Sequence, residues 1–215
     1  MNAAEPLPSN AELERRLRAV LAGSSLQTPR PLANLELPPP VDKILAATMR
    51  AGLRPAAVLM PLIRRGDALS MLLTVRSTKL RSHGGQIAFP GGAKDASDIT
   101  AADNALREAQ EEVGLDPHAV EIIGYLRDHP TLSRFIVTPV VGIIDNEPDL
   151  RIDDNEVAEV FEVPFSFIAR RENFERKLLS RDGFNVPFYE LNWQQHRIWG
   201  ATAGMLWELA GYMKA

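Results

Sequence analysis

The chain contains no cysteine. Disulfides, thiolate zinc sites and a cysteine nucleophile are therefore excluded, and a reducing compartment fits. No apolar run comes near the roughly 20 residues that a membrane helix needs; the longest, such as PAAVLMPLI, fall far short. The start, MNAAEPLPSN, lacks a basic region followed by an apolar run, so no secretory signal is expected. There is no large excess of charge of either sign: the net charge of -4 gives no reason to expect nucleic acid or an anionic membrane as a partner. No internal repeat is visible, and no low-complexity tract beyond one proline-rich stretch. These absences together predict a soluble, cytoplasmic protein.

What is present is globular. Apolar residues make up 45% of 215 residues and charged residues 24%, enough for a sizeable core. SNAELERRLRAVLAG (residues 9–23) reads as an amphipathic helix, with Leu13, Leu17, Val20 and Leu21 at helical spacing, Ser9 or Asn10 as cap and Gly23 as its end. SSLQTPRPLANLELPPP is irregular by its prolines, and VDKILAATMRAG reads as a short helix. Residues 1–50 thus form an extension expected to pack on the main body, since a free tail would carry fewer leucines.

From Arg54 the pattern changes. PAAVLMPLI and LSMLLTVRS flank the turn RRGDA and predict a β-hairpin. QIAFPGG reads as a short strand that stops at its glycines. Residues 100–113 read as a helix, AVEIIGYLRD and RFIVTPVVGII as strands, EVAEVFEVPFSFIAR as a strand leading into a short helix, and NVPFYELNWQQHRIWG as one or two strands. TAGMLWELAGYM closes the chain as a helix that would cover the sheet, with Met205, Leu206, Leu209 and Met213 as its buried positions. Strict alternation of strand and helix is absent, so the expected class is α/β of the α+β type: a mixed sheet sandwiched between helices.

One stretch conflicts with a purely structural role. LREAQEEVGL (residues 106–115) places Glu108, Glu111 and Glu112 within an arc of about 100° on an ideal helix. Like charges at these spacings cost a few tenths of a kcal/mol per pair. Glu111 and Glu112 also sit at the negative end of the helix dipole, beside Gly114. Arg107 offsets only part of this by pairing with Glu111. A solvated acidic face is the bland explanation. The context favours another: a glycine-rich turn precedes the helix, and Asp95 and Asp98 lie between. Carboxylates converging at such a junction suit a hard divalent cation such as Mg²⁺, which prefers oxygen ligands.

These residues resemble the Nudix hydrolase signature. That signature is a glycine, five residues, a glutamate, seven residues, then Arg-Glu, an apolar residue, any residue, Glu-Glu, any residue, Gly and an apolar residue. Gly92 and REAQEEVGL (residues 107–115) fit it, with Ala109 at the first apolar position. Asp98 stands where the glutamate is expected, and eight residues separate it from Arg107. Upstream, LLTVRSTKLRSHGGQIAFPGG (residues 72–92) resembles the extra motif of the coenzyme A pyrophosphatase branch, with Arg76, Ser77, Arg81, Gly85 and residues 89–92 in register. The shifted acid also resembles that branch.

The resemblance implies a Nudix hydrolase domain over residues 51–215. It implies metal-dependent hydrolysis of the diphosphate of coenzyme A or its derivatives, with Mg²⁺ or Mn²⁺ as cofactor and a small molecule as partner. Glu108 and Glu112 are then the first metal ligands and Glu111 the next, with one of the three orienting or deprotonating the attacking water. Arg107 steers a glutamate. Gly91 and Gly92 allow a tight turn and bring backbone N–H groups near a phosphate. Arg76 and Arg81 would contact substrate phosphate; Lys79 and His83 have weaker claims. A further carboxylate is expected from the acidic run Asp153, Asp154, Glu156, Glu159 and Glu162, and each of these alone reads first as surface. His118, His129 and His196 lack ligand-like spacing and read as structural. Trp193, Trp199 and Trp207 read as packing before they read as adenine platforms. Alternatives are a Nudix hydrolase of a nucleotide sugar or an oxidised nucleoside triphosphate, and a non-catalytic Nudix-fold binding module. A homodimer is left open, as are the preferred metal and the general base.

Overall fold

The structure, a computed structural model, describes residues 8–27, 30–35, 43, 52–80, 83–131, 133–145, 147–181 and 184–213. The predicted helix VDKILAATMRAG lies almost wholly outside the described residues, and so does Arg81.

Helix α1 (Asn10–Leu21) begins where Ser9 accepts a hydrogen bond from the Glu12 N–H at 3.2 Å. Leu13, Leu17 and Leu21 are buried on one stripe. Val20, expected beside them, is 46% exposed, because it falls off that stripe. The hairpin is formed by β1 (Arg54–Arg65) and β2 (Ala68–Arg76), antiparallel through Leu62 opposite Met71. Two short strands follow, β3 (Ile87–Ala88) and β4 (Gly91–Ala93). The glycines do not end a strand, as expected from sequence; they form one, with Ala57 opposite Gly92 on β1.

Helix α2 (Ala101–Val113) carries the acidic stretch. Thr100 and Asp103 close a reciprocal capping box at its start, and Gly114 ends it in the left-handed conformation, φ 71°. Strands β5 (Val120–Tyr125), β6 (His129–Pro130), β7 (Phe135–Asp145) and β8 (Val157–Pro164) follow, then the single-turn helix α3 (Phe165–Ile168). Strands β9 (Phe174–Arg181), β10 (Phe184–Trp193) and β11 (His196–Trp199) precede α4 (Gly200–Tyr212). Met205, Leu206, Leu209 and Met213 are all buried, as expected.

The large sheet has the order β3-β2-β1-β7-β5, with β4 on β1, β6 on β7 and β8 on β2. It is mixed: β1 and β7 run parallel, and the other pairs are antiparallel. Strands β11, β10 and β9 make a second sheet. Strand β1 is buried on both faces, which explains its continuous apolar run. Its even positions Met60 and Leu62 enter the core shared with α1, α3 and α4, while Ala57, Leu59 and Ile63 face Ala105, Ala109 and Val113 of α2. Small side chains at 105 and 109 let α2 lie close to β1, which brings its glutamates to the β4 glycines.

The segment before β1 is fastened to the body. Ala33 N–H donates to the Asp128 carbonyl at 2.8 Å, Asp128 N–H returns a bond to Pro31 at 2.9 Å, and the buried Arg30 guanidinium pairs with the Asp128 carboxylate at 2.7 Å. Among the described residues no helix is long and apolar enough to cross a membrane.

Candidate active site

Glu112 is 2% exposed in its side chain, at the end of α2. One carboxylate oxygen accepts from the Gly91 N–H at 3.2 Å and the other from the Arg76 guanidinium at 3.3 Å. Burial pushes its pKa up to about 7; Arg76 and Gly91 pull the other way, and Glu108 and Glu156 add repulsion. Glu108 is raised for the same first reason, burial, against the pull of Arg107. Its carboxylate lies directly against Gly92: a Cβ there would stand 2.5 Å from it. At Gly91 a Cβ would stand 2.5 Å from the Ala57 carbonyl oxygen. Both glycines are therefore required by close approach, one to a strand and one to a carboxylate.

Arg107 arranges the rest. It holds Asp98 with two bonds of 3.0 Å, Glu108 at 2.8 Å and Glu111 at 2.8 Å. Asp98 is buried, kept below the usual carboxylate range by Arg107, and also accepts from the Asp95 N–H at 2.7 Å. The acid that departs from the signature is thus engaged in fixing Arg107. Glu111 is 61% exposed in its side chain and, among the described residues, tethered only by Arg107.

The acidic run after β7 is sorted by its contacts. Glu156 is the member whose charge reaches both Glu108 and Glu112; its carbonyl accepts from the Ser77 N–H at 2.8 Å. Glu159 pairs with His196 at 3.0 Å, Glu162 with Arg65 at 2.7 Å, and Asp153 closes a turn onto Asn155. Sequence offered five equal candidates, and no spacing signal separated Glu156 from the others. Lys79 braces the loop by donating to the Asp154 carbonyl at 3.2 Å. His83 is exposed and bonds Gln86 at 2.8 Å.

The remaining candidates divide between packing and the cavity wall. His118 sits in the exposed 3-10 turn after α2, and His196 stacks on Phe161 at 3.6 Å. His129 is buried, which holds it down at about 4. Trp193 packs on Phe167, and Trp199 meets Phe188 edge-on. Trp207 stacks on Tyr189 at 4.2 Å. A cavity of about 1090 Å³ borders Arg76, Gly91 and Gly92, and also Arg171, Tyr189 and Trp207.

Glu108, Glu111 and Glu112 offer the hard oxygen donors that suit Mg²⁺ or Mn²⁺, and the first and last are charge-penalised by burial and mutual repulsion, which a cation would reverse. In kind, then, the residues fit such an ion. Among the described residues no three carboxylates or imidazoles already converge as a ligand set. Arg107 draws Glu108 and Glu111 towards Asp98, while Arg76 holds Glu112.

A family model described as a NUDIX domain matches residues 53–181. The chain belongs to the Nudix family. It is similar to the Nudix hydrolase NudL of Citrobacter koseri, 46% identical over 158 residues, covering 73% of this chain and 81% of that protein. It is also similar to the protein of the same name from Escherichia coli K12, 43% identical over 157 residues with the same coverage. Among solved structures, a Caenorhabditis elegans Ap4A hydrolase binary complex aligns over 51% of this chain and 80% of its own, with 18% identity and a TM-score of 0.43. The Nudix match runs from the start of β1 to the end of β9. Helix α1, the fastened segment before β1, strands β10 and β11 and α4 all lie outside it, yet Tyr189 and Trp207 from this outer part line the cavity.

Proposed function

We propose that the chain hydrolyses the diphosphate bond of coenzyme A and its derivatives, releasing adenosine 3′,5′-bisphosphate and 4′-phosphopantetheine, with Mg²⁺ or Mn²⁺ as cofactor. The domain that does this is residues 51–215, with residues 1–50 as an extension packed on it. The observation that carries the reading is Glu112: a buried carboxylate, its pKa near 7, bonded to the N–H of Gly91 and to Arg76, both of which border a large cavity. The substrate choice rests on the motif over residues 72–92, whose Arg76 borders that cavity.

A divalent ion bound here would neutralise the diphosphate's charge and lower the pKa of its bound water. Glu108 and Glu112 would hold it, with Glu111 next and Glu156 as the further carboxylate. The chain's own residues do the rest. Arg107 fixes the direction of Glu108 and Glu111 by charge-assisted bonds. The β4 glycines let a phosphate approach backbone, and Arg76 contributes a guanidinium to it. One of the three glutamates takes a proton from the attacking water as the water oxygen bonds to phosphorus. The bridging P–O bond breaks, and its oxygen leaves with the departing phosphate.

The test is the product mixture formed from coenzyme A with Mg²⁺ or Mn²⁺ in ¹⁸O-water, read by mass spectrometry beside a nucleotide sugar and an oxidised nucleoside triphosphate. Label in one of the two phosphate products, with coenzyme A turned over fastest, is the expected result. Faster turnover of either competitor overturns the substrate assignment.

A further inference from the structure

Arg171 is a cation on the cavity wall that the reaction above does not use. It begins the 3-10 turn Arg171–Asn173 between α3 and β9 and borders the cavity while half-buried. Its guanidinium lies 4.1 Å over the Trp207 ring, and one nitrogen donates to the Trp207 carbonyl at 3.4 Å. The Nε–H is sealed from solvent and has no acceptor among the described residues. Gly211, one turn beyond Trp207 on α4, makes the space: a Cβ there would overlap the guanidinium. Among the described residues no carboxylate pairs with Arg171. Glu208, the acid beside Trp207, is taken by Arg127 at 2.9 Å and by the Tyr212 hydroxyl at 2.9 Å.

These contacts hold the guanidinium flat and in place but leave its charge uncompensated. Half-burying a cation without a counter-charge is unfavourable. A fork of N–H donors held this way matches phosphate geometry. The cavity, about 1090 Å³, is at the upper end for a drug-sized ligand and far larger than a diphosphate alone requires. We propose that Arg171 binds a second anionic group of the substrate, a phosphate monoester separate from the diphosphate cleaved beside Glu112, and so sets substrate choice. This rests on the reading of the site as a diphosphate hydrolase. Arg171 itself lies within the span that matches the family, but Trp207 and Gly211, which place its guanidinium, lie on α4 outside that span, so this selectivity depends on the carboxy-terminal helix.

Two measurements on Arg171→Gln, Arg171→Lys and Gly211→Ala test it, after melting curves establish that each variant folds. In the first, calorimetry compares adenosine 3′,5′-bisphosphate with adenosine 5′-monophosphate and needs no turnover. The intact chain is expected to prefer the bisphosphate by about tenfold or more, Arg171→Gln and Gly211→Ala to lose that preference, and Arg171→Lys to keep part of it. In the second, Arg171→Gln is expected to raise KM about tenfold for coenzyme A and less than twofold for its 3′-dephospho analogue, with kcat unchanged for both. Equal effects on the two compounds of either pair would overturn the proposal. So would displacement of the bisphosphate by inorganic phosphate at equal concentration, which would mark a free-anion site. If neither coenzyme A compound is cleaved, the hydrolase reading fails, while calorimetry still decides the anion site.

Discussion

Glu112 on α2 and Glu190 on β10 are buried to the same degree, 2% and 3% exposed in their side chains, yet they ionise at opposite ends of the scale. Burial opposes the charge of both. At Glu190, bonds from Arg197 at 2.6 Å, Lys177 at 2.5 Å and Asn192 at 3.3 Å outweigh it and hold the carboxyl at about 2. At Glu112 one guanidinium at 3.3 Å and one backbone N–H do not, and two neighbouring glutamates repel it, so the carboxyl rises to about 7. The first glutamate is a satisfied joint between strands. The second is left short of positive charge behind Gly91 and Arg76, which border a cavity. A buried carboxylate becomes a functional candidate when the fold withholds its counter-ions, not when it is merely buried.

The comparison breaks if the two residues behave alike when neutralised. Glu112→Gln and Glu108→Gln are each expected to cut kcat at least about a hundredfold, roughly 2.7 kcal/mol of barrier, whereas Glu190→Gln leaves it within about threefold. Steady-state hydrolysis with Mg²⁺ or Mn²⁺ decides this. Unchanged turnover in both α2 variants would remove the site altogether. Gly92→Ala probes the same carboxylate from the other side. The added Cβ must displace the Glu108 carboxylate, and a misplacement of about 1 Å is expected to cost on the order of 10- to 100-fold in kcat. Melting temperature should move far less than activity.

Stability should respond with opposite signs. Glu112 has its pKa raised from 4.5 to about 7. The folded state therefore holds a proton that the unfolded state releases between those values, and stability falls as pH rises through that window. Such a shift is worth roughly 3 kcal/mol. In chelator at pH 8, Glu112→Gln is expected to be more stable than the parent by about 1–3 kcal/mol, and equal to it below pH 4.5. Glu190 has its pKa lowered, so its contribution is present above 4.5 and is lost as pH falls towards about 2. Glu190→Gln should lose about 1 kcal/mol at neutral pH, a modest figure because Arg197 and Lys177 are partly solvated and screened. Urea melts of both variants across pH 3 to 8 would show the two slopes. The same slope in both would break the contrast.

How much of this was legible depended on whether local chemistry or a distant partner fixes the residue. The β1–β2 hairpin and α2 were readable because their signals are local: a turn between two apolar runs, and a helical stripe that ends at a glycine. The Nudix residues were readable because their spacing is fixed along one helix. Strand β9, FERKLLSR, was missed, since its sheet has one solvated face and Leu178 points outward at 61% exposure, so no alternation shows. Strand β4 was misread because glycine weakens strands in general, and only its pairing with β1 keeps Gly91 and Gly92 extended. Glu156 was legible only as one of five acids in a run, and Arg171 had no sequence signal at all. Their surroundings come from α2 and α4, distant in the chain. Asp98 was readable as a displaced acid, but its bond to Arg107 across nine positions was not.

Glu111 gives the smallest and finest test. It shares the helix face of Glu112, but its side chain is 61% exposed and Arg107 is its one tether among the described residues, at 2.8 Å. An exposed pair of this kind contributes about 0.3–0.5 kcal/mol. Glu111→Gln should therefore shift stability by no more than that. If Glu111 only answers the charge of Arg107, turnover should follow stability and barely change. If it orients or deprotonates water, kcat should fall about tenfold or more while the melt stays put. A fall in kcat with the melt and the metal requirement unchanged would assign the proton to Glu111 and leave Glu108 and Glu112 to the cation.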